Sequence, residues 1–415
     1  MCSKMEKKSD FFGMPRKLTY GFLGVLIFMM GDGLEQTWLS RYITEAGLDA
    51  ATLFSLYGLM VGISAWLSGV IAETFGVKKT MLAGFALYVA GVAGFAGIGM
   101  PRMDYSVLLA TYAIKGFGYP LFAYTLMVWI TYRVEQKTLS SAQGWFWFVF
   151  TGGLNVLGAY LGIFSKENIG VIPTLWTEMI FAALGAIFAL WVNKCPDDNL
   201  FADTSKQKGS HLREFIRGLS IIGREPKVLI GGIVRIINTS SQFAFVVFMP
   251  LYMVKYGVTD ADWATIWAGI FIFNIVFNLI FGIVGDKIGW NRTVTIFGCL
   301  GCAVGTLLFF YSPQIINNYW FILACGAFWC ISLAGFVPLS ALVPSLVRSD
   351  KGAAISVLNL GAGGAGFLGP LIVKMFATEG AADPYNYVPI AWTLAGLYIL
   401  SAVLMFFLRS PRKAD

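Results

Sequence analysis

Charge and histidine are what this 415-residue chain has least of. Only 13% of its residues are charged, against about 25% in a soluble domain. Its single histidine, His211, falls in a polar stretch. No histidine pair is available for a metal site, and no imidazole lies in the apolar segments for acid–base chemistry. An enzyme is therefore not expected, nor a metal or an organic cofactor. The rest is 57% hydrophobic with a mean hydropathy of +0.70. A surface that apolar would aggregate in water. The soluble enzyme, the disordered chain and the secreted disulfide scaffold are all excluded. Among the six cysteines, Cys299 and Cys302 form a CxxC between Gly298 and Gly301. In an apolar segment this reads as small packing residues.

What is present is a series of long apolar runs. A helix needs about 20 apolar residues to cross a bilayer, and an open strand cannot satisfy its backbone there. Twelve runs qualify: roughly 18–43, 53–75, 80–100, 105–131, 142–164, 173–193, 228–254, 263–285, 293–312, 319–345, 354–377 and 388–408. The expected fold is an all-α membrane protein of twelve transmembrane helices in two six-helix halves. The first half is 1–193 with an N-terminal tail, the second 228–415 with a short tail. The polar segment 194–227 separates them. The first run carries Asp32 and Glu35 and lacks a small-residue cleavage site, so it reads as a span and not as a signal peptide.

Lys and Arg orient the chain. With the N-terminus inside, 23 of the 30 basic residues fall on the cytoplasmic side and five outside: Arg41, Arg102, Lys166, Lys255 and Lys374. Lys115 and Arg235 lie within spans. Both termini are expected in the cytoplasm. The same bias accounts for the net charge of +7, so no nucleic-acid partner is implied.

The two halves share a motif. The loop after span 2 has Gly69, Glu73, Gly76 and Lys79; the loop after span 8 has Gly282, Asp286, Gly289 and Arg292. Each matched pair is offset by 213 residues. The first Gly suits close helix approach, the acid ends its helix, the second Gly permits a tight reversal, and the base anchors to the inner leaflet. With twelve spans, a six-plus-six split and a basic central loop, this resembles the major facilitator superfamily over the whole chain. The first copy departs from the usual pattern, with Glu73 in place of Asp and Thr74 where Arg is common. The resemblance implies a rocker-switch carrier whose cytoplasmic gate is formed by these eight motif residues. It also implies a monomer in the bacterial inner membrane.

Ionisable residues inside a span mark candidate sites. Asp32, Glu35 and Gln36 share one stripe of span 1, about 14 to 18 residues from its cytoplasmic start and so near the midplane. Gly31 and Gly33 flank Asp32 and weaken the helix there. Tyr112, Lys115 and Tyr119 share a face of span 4 at similar depth. Span 7 carries Arg235, Asn238 and Gln242 on one stripe, span 8 carries Asn274 and Asn278, and span 11 carries Asn359 in a glycine-rich run. These residues are expected to line a central polar cavity that binds solute through amides and aromatics. The bland alternative is that Lys115 neutralises the acids while the amides hold helices together. Glu178 reads as an interface residue of span 6. Two acids against two bases call for no charged solute.

The segment Phe12-Gly13-Met14-Pro15-Arg16-Lys17-Leu18-Thr19-Tyr20-Gly21-Phe22, with Met30-Gly31-Asp32-Gly33-Leu34-Glu35, is similar to bacterial polyol permeases. That resemblance implies proton-linked uptake of a pentitol such as ribitol or D-arabinitol, with Asp32 or Glu35 carrying the proton. The alternative is an organic-anion or sugar-acid carrier that uses Lys115 and Arg235 as anion hooks.

Overall fold

A computed structural model describes residues 18–133, 139–193, 223–347, 351–378 and 383–408. The central segment 194–222, most of the basic loop expected between the halves, lies outside the described residues. Twelve membrane-length rods follow in chain order. The first, α1, runs over Thr19–Gly33 and resumes as Leu39–Glu45 after a turn. Then come α2 (Ala50–Phe75), α3 (Val77–Arg102), α4 (Tyr105–Arg133), α5 (139–169) and α6 (Val171–Val192). The second set is α7 (Pro226–Val254), α8 (Asp260–Ile288), α9 (Trp290–Ile315), α10 (Tyr319–Ser345), α11 (Lys351–Met375) and α12 (Tyr387–Leu408). Among the described residues, ten helices meet the length and hydropathy needed to span a bilayer. The two outside that set are α1, shortened by its turn, and α4, which carries Lys115.

The expected repeat is visible in backbone conformation. Gly76 and Gly289, the second glycines of the two motifs, have φ of 91° and 99° and cap α3 and α9. That region is costly for a residue with a Cβ, so both reversals require glycine. Lys79 and Arg292 follow on exposed first turns. The Gly282 expectation needs correction. A Cβ there would meet nothing, whereas one at Gly285 would lie 2.6 Å from Pro338 of α10. The close approach is therefore one turn later than the motif suggests. Gly69 and the side chains of Glu73 and Asp286 lie outside the described residues.

The bundle has a proximal end, where α2 turns into α3, and a distal end, where α1 meets α2. The halves touch along α2–α11, α5–α8 and the distal part of α1 against α7. Backbones meet directly in the first of these. A Cβ on Gly58 would overlap the carbonyl of Gly366, and one on Gly363 would overlap Gly62. Trp38, Leu39, Ile43, Leu53 and Phe54 of the first half share one buried core with Phe245, Phe248, Met249 and Met253 of α7. Other first-half residues, among them Phe22, Phe28 and Phe122, pack into a separate core. Apolar burial thus seals the halves together at the distal end.

Ion pairs reinforce that seal. Asp260 of α8 receives Arg41 at 2.8 Å and Lys166 at 2.5 Å, both from the first half. Lys374 of α11 pairs with Asp49 at 3.1 Å. Ser40 donates to the carbonyl of Val246 at 2.9 Å. Among the described residues, the ion pairs that join the halves all lie at this end.

Candidate functional site

The turn that interrupts α1 creates the centre of the molecule. The helix ends at Gly33 and restarts at Leu39, and Trp38 closes the turn by donating its indole N–H to the Leu34 carbonyl at 2.7 Å. Gly33 sits at the break because α5 crosses there: a Cβ would overlap the Leu154 carbonyl. Asp32 is thereby left on the last turn of one segment and Glu35 in the linker. Interrupted helices of this kind commonly form midplane sites in carriers.

Both acids face Lys115 of α4. The ammonium is 2.6 Å from Glu35 and 3.6 Å from Asp32. A third carboxylate, Glu178 of α6, lies 2.9 Å from the same nitrogen. Lys115 and Glu178 are fully buried, and Asp32 and Glu35 nearly so. The interface reading of Glu178 is therefore corrected: it is an internal ligand of Lys115. The signal available in the sequence was an acid inside a span; its partner is 63 residues away on another helix.

A shell of tyrosines completes the cluster. Tyr57 of α2 donates to Asp32 at 2.9 Å, and Tyr112 donates to Glu35 at 2.7 Å. Tyr88 of α3 reaches Glu178 at 3.4 Å. The Lys115 ammonium lies 5.4 Å from the Tyr112 ring centre and 5.5 Å from that of Tyr88, within cation–π range. Tyr119 stacks on Tyr57 and continues the aromatic wall toward Tyr124 and Phe150. Backbone packing pins the lysine, since a Cβ on Gly91 of α3 would overlap the Lys115 backbone. One oxygen of Glu35 and one of Glu178 have no hydrogen-bond partner in this buried setting. Buried polar atoms are ordinarily bonded. These two acceptors are thus left without a donor.

The expected balance of two acids against two bases is not the arrangement found. Arg235 of α7 is apart from the cluster and donates to Asn238 at 3.0 Å. Among the described residues it has no carboxylate partner. Its neighbour on the stripe, Gln242, reaches across the halves to Asn155 of α5 at 3.5 Å. Asn155 was not singled out in the sequence. It sits in a π-helical turn over Gly152–Leu157, a local widening frequent at functional sites. Gln36 retains an unbonded buried oxygen and Asn238 an unbonded buried nitrogen. Together Gln36, Asn155, Asn238 and Gln242 offer amide donors and acceptors from both halves.

Three candidate amides fall elsewhere. Asn274 donates to the Cys330 carbonyl of α10 at 2.8 Å, and Asn278 donates to Asn274 at 3.1 Å. They tie α8 to α10, which satisfies their polarity without a solute. Asn359 is exposed. Cys299 and Cys302 are buried and free, as packing residues would be.

The family model of the Major Facilitator Superfamily matches residues 18–273 and 232–415. An alpha-ketoglutarate permease of Bacillus subtilis (strain 168) is 45% identical over 95% of this chain and 90% of its own. A ribitol transporter and a D-arabinitol transporter of Klebsiella pneumoniae are 38% and 37% identical, each over 96% of this chain and 93% and 94% of their own. A solved D-xylose-proton symporter aligns with a TM-score of 0.74 at 15% identity, covering 95% of this chain and 98% of its own. These relatives are transporters and not enzymes. The chain belongs to the major facilitator superfamily, as a multi-pass membrane transporter of small molecules with twelve helices in two halves.

Proposed function

We propose that the protein is a proton-coupled importer of a neutral polyhydroxylated solute, of the pentitol class, working by alternating access. One observation carries this reading: Lys115 is enclosed by three carboxylates. The ammonium is fully engaged and cannot serve as an anion hook. The cluster holds more carboxyl groups than its one cation can balance, so it has room for a proton. Burying unbalanced charge is costly, and protonation relieves that cost.

In this account Asp32 or Glu35 takes the coupling proton and no organic cofactor is needed. The solute binds beside them through Gln36, Asn155, Asn238 and Gln242, whose amides match hydroxyl groups in both hydrogen-bond senses. The ribitol and D-arabinitol transporters among the relatives support the same class. The excess of Lys and Arg supports a cytoplasmic location for both termini. The distal seal then faces outward, and the described state is closed to the outside. Opening requires the halves to part along α2–α11 and at Asp260, while the motif loops around Gly76 and Gly289 close the other side.

A second reading has its own support. Arg235 has no carboxylate partner among the described residues, and a guanidinium suits a carboxylate solute. The alpha-ketoglutarate permease among the relatives points the same way. Thermal-shift titration of the purified protein separates the two. Stabilisation by ribitol or D-arabinitol and none by 2-oxoglutarate is expected. Stabilisation by 2-oxoglutarate alone, abolished in Arg235→Gln, would replace the first reading with the second.

A further inference from the structure

We propose that Glu178 is the anchoring counter-ion of Lys115, a positioning residue that leaves Asp32 and Glu35 free to gain and lose the coupling proton. The inference rests on the proton-coupled reading above and assigns a division of labour within the cluster. Glu178 lies on α6, a different helix from the α1 acids. It is fully buried, and its Oε2 is 2.9 Å from the ammonium. Its backbone is held against α1, where a Cβ on Gly31 would lie 3.1 Å from the Glu178 carbonyl. By contrast, Glu35 belongs to a linker between two helical segments, and Asp32 sits at the end of the first. Those two are placed to move when α1 moves; Glu178 is embedded mid-helix.

A lone lysine between two acids would present a difficulty. Protonating its acid partners would leave a buried ammonium unpaired, which is strongly unfavourable. Glu178 removes that difficulty. When a proton reaches Asp32 or Glu35, Lys115 keeps Glu178 and the other α1 acid as ionised partners, and it keeps Glu178 even if both α1 acids are protonated. When the proton leaves, Lys115 shares its charge with the α1 acids again. The groups facing the cluster are Asp32 and Glu35 from α1, Tyr57 from α2, Tyr88 from α3, and Tyr112, Lys115 and Tyr119 from α4. The α5 segment that packs on Gly33 brings no charged side chain.

The sign of the effect follows. Removing the Glu178 charge deletes a negative neighbour and turns Lys115 wholly toward the α1 acids. Both changes weaken proton binding at Asp32 and Glu35. Uptake of labelled ribitol into proteoliposomes is measured against pH for wild type, Glu178→Gln and Glu178→Asp, with counterflow recorded at each pH. The expected result is that Glu178→Gln moves the pH of half-maximal uptake down by about one unit or more, and that Glu178→Asp restores most of the shift. A Glu178→Gln profile that superimposes on wild type overturns the assignment while leaving proton coupling intact. Loss of counterflow at every pH in both variants also overturns it, by making Glu178 a purely structural residue. If wild-type uptake is itself independent of pH, the proton-coupled reading fails and this inference falls with it.

Discussion

The hydroxyl of Tyr57 lies 2.9 Å from the Asp32 carboxylate, and the next residue along α2, Gly58, meets the backbone of Gly366 across the interface between the halves. The donor to the proposed proton site and the contact that must open are therefore adjacent residues on the same helix. In the proposed coupling, a change of charge on Asp32 would alter what Tyr57 donates to, beside the α2–α11 contact.

Tyr57→Phe removes this link without changing ring volume. A hydrogen bond to a charged group is worth about 1.5–3 kcal/mol. Proton-driven accumulation is expected to fall about tenfold or more, with counterflow less affected. Parallel uptake and counterflow assays check this; equal losses in both would place Tyr57 outside the coupling step.

Gly58→Val places a side chain where α11 backbone now sits. Overpacking of this kind costs about 1–3 kcal/mol, and here it burdens the distally closed state. Cysteines placed at the distal end should become more accessible to membrane-impermeant thiol reagents. Unchanged labelling would show that α2 and α11 do not form the seal.

Asp260 holds both Arg41 and Lys166, and all three are about one-fifth to one-quarter exposed. Asp260→Asn unhooks both pairs. Pairs this exposed are worth up to about 1 kcal/mol each, so a modest opening of the distal end is expected. In wild type, about 1 M salt should produce the same opening, since screening then acts within about 3 Å. Distal thiol labelling against salt measures it.

How much of this was legible without coordinates divides along a physical line. The rods were, because twenty apolar residues in a row have few other fates. The reversal glycines Gly76 and Gly289 were, because the two halves repeat them. The convergence of Asp32 and Glu35 on Lys115 could be anticipated from depth and helical stripe. Glu178 could not be placed, since stripe arguments do not say which helices are neighbours. Asn274 and Asn278 misled for a related reason. An amide inside a span looks the same in sequence whether it meets a solute or a carbonyl such as that of Cys330. Asn155 carried no signal beyond its glycine-rich surroundings, because a π-helical turn has no distinctive residue pattern.

Asp49 gives the distal end a pH dependence. It caps α2, accepting from the Thr52 amide at 3.0 Å and the Thr52 hydroxyl at 2.5 Å, and pairs with Lys374. Burial alone would raise this carboxyl; the Thr52 bonds and then Lys374 outweigh it and hold it below its ordinary value. A group lowered in the folded state stabilises it fully above the ordinary value of about 4, and that contribution is lost as pH falls through the lowered value. Melting temperature should therefore drop on acidification below about pH 4, less steeply in Asp49→Asn. Parallel curves for the two proteins would remove Asp49 from the account.

In the proposed mechanism the Asp32, Glu35 and Lys115 cluster couples a proton to solute entry. The most direct measurement is proton movement into proteoliposomes, followed with a trapped pH dye, when ribitol or D-arabinitol is supplied down its gradient. Internal acidification with wild type, abolished in Asp32→Asn or Glu35→Gln while counterflow persists, is the predicted result. Solute entry without acidification, or acidification unchanged in both variants, would contradict it.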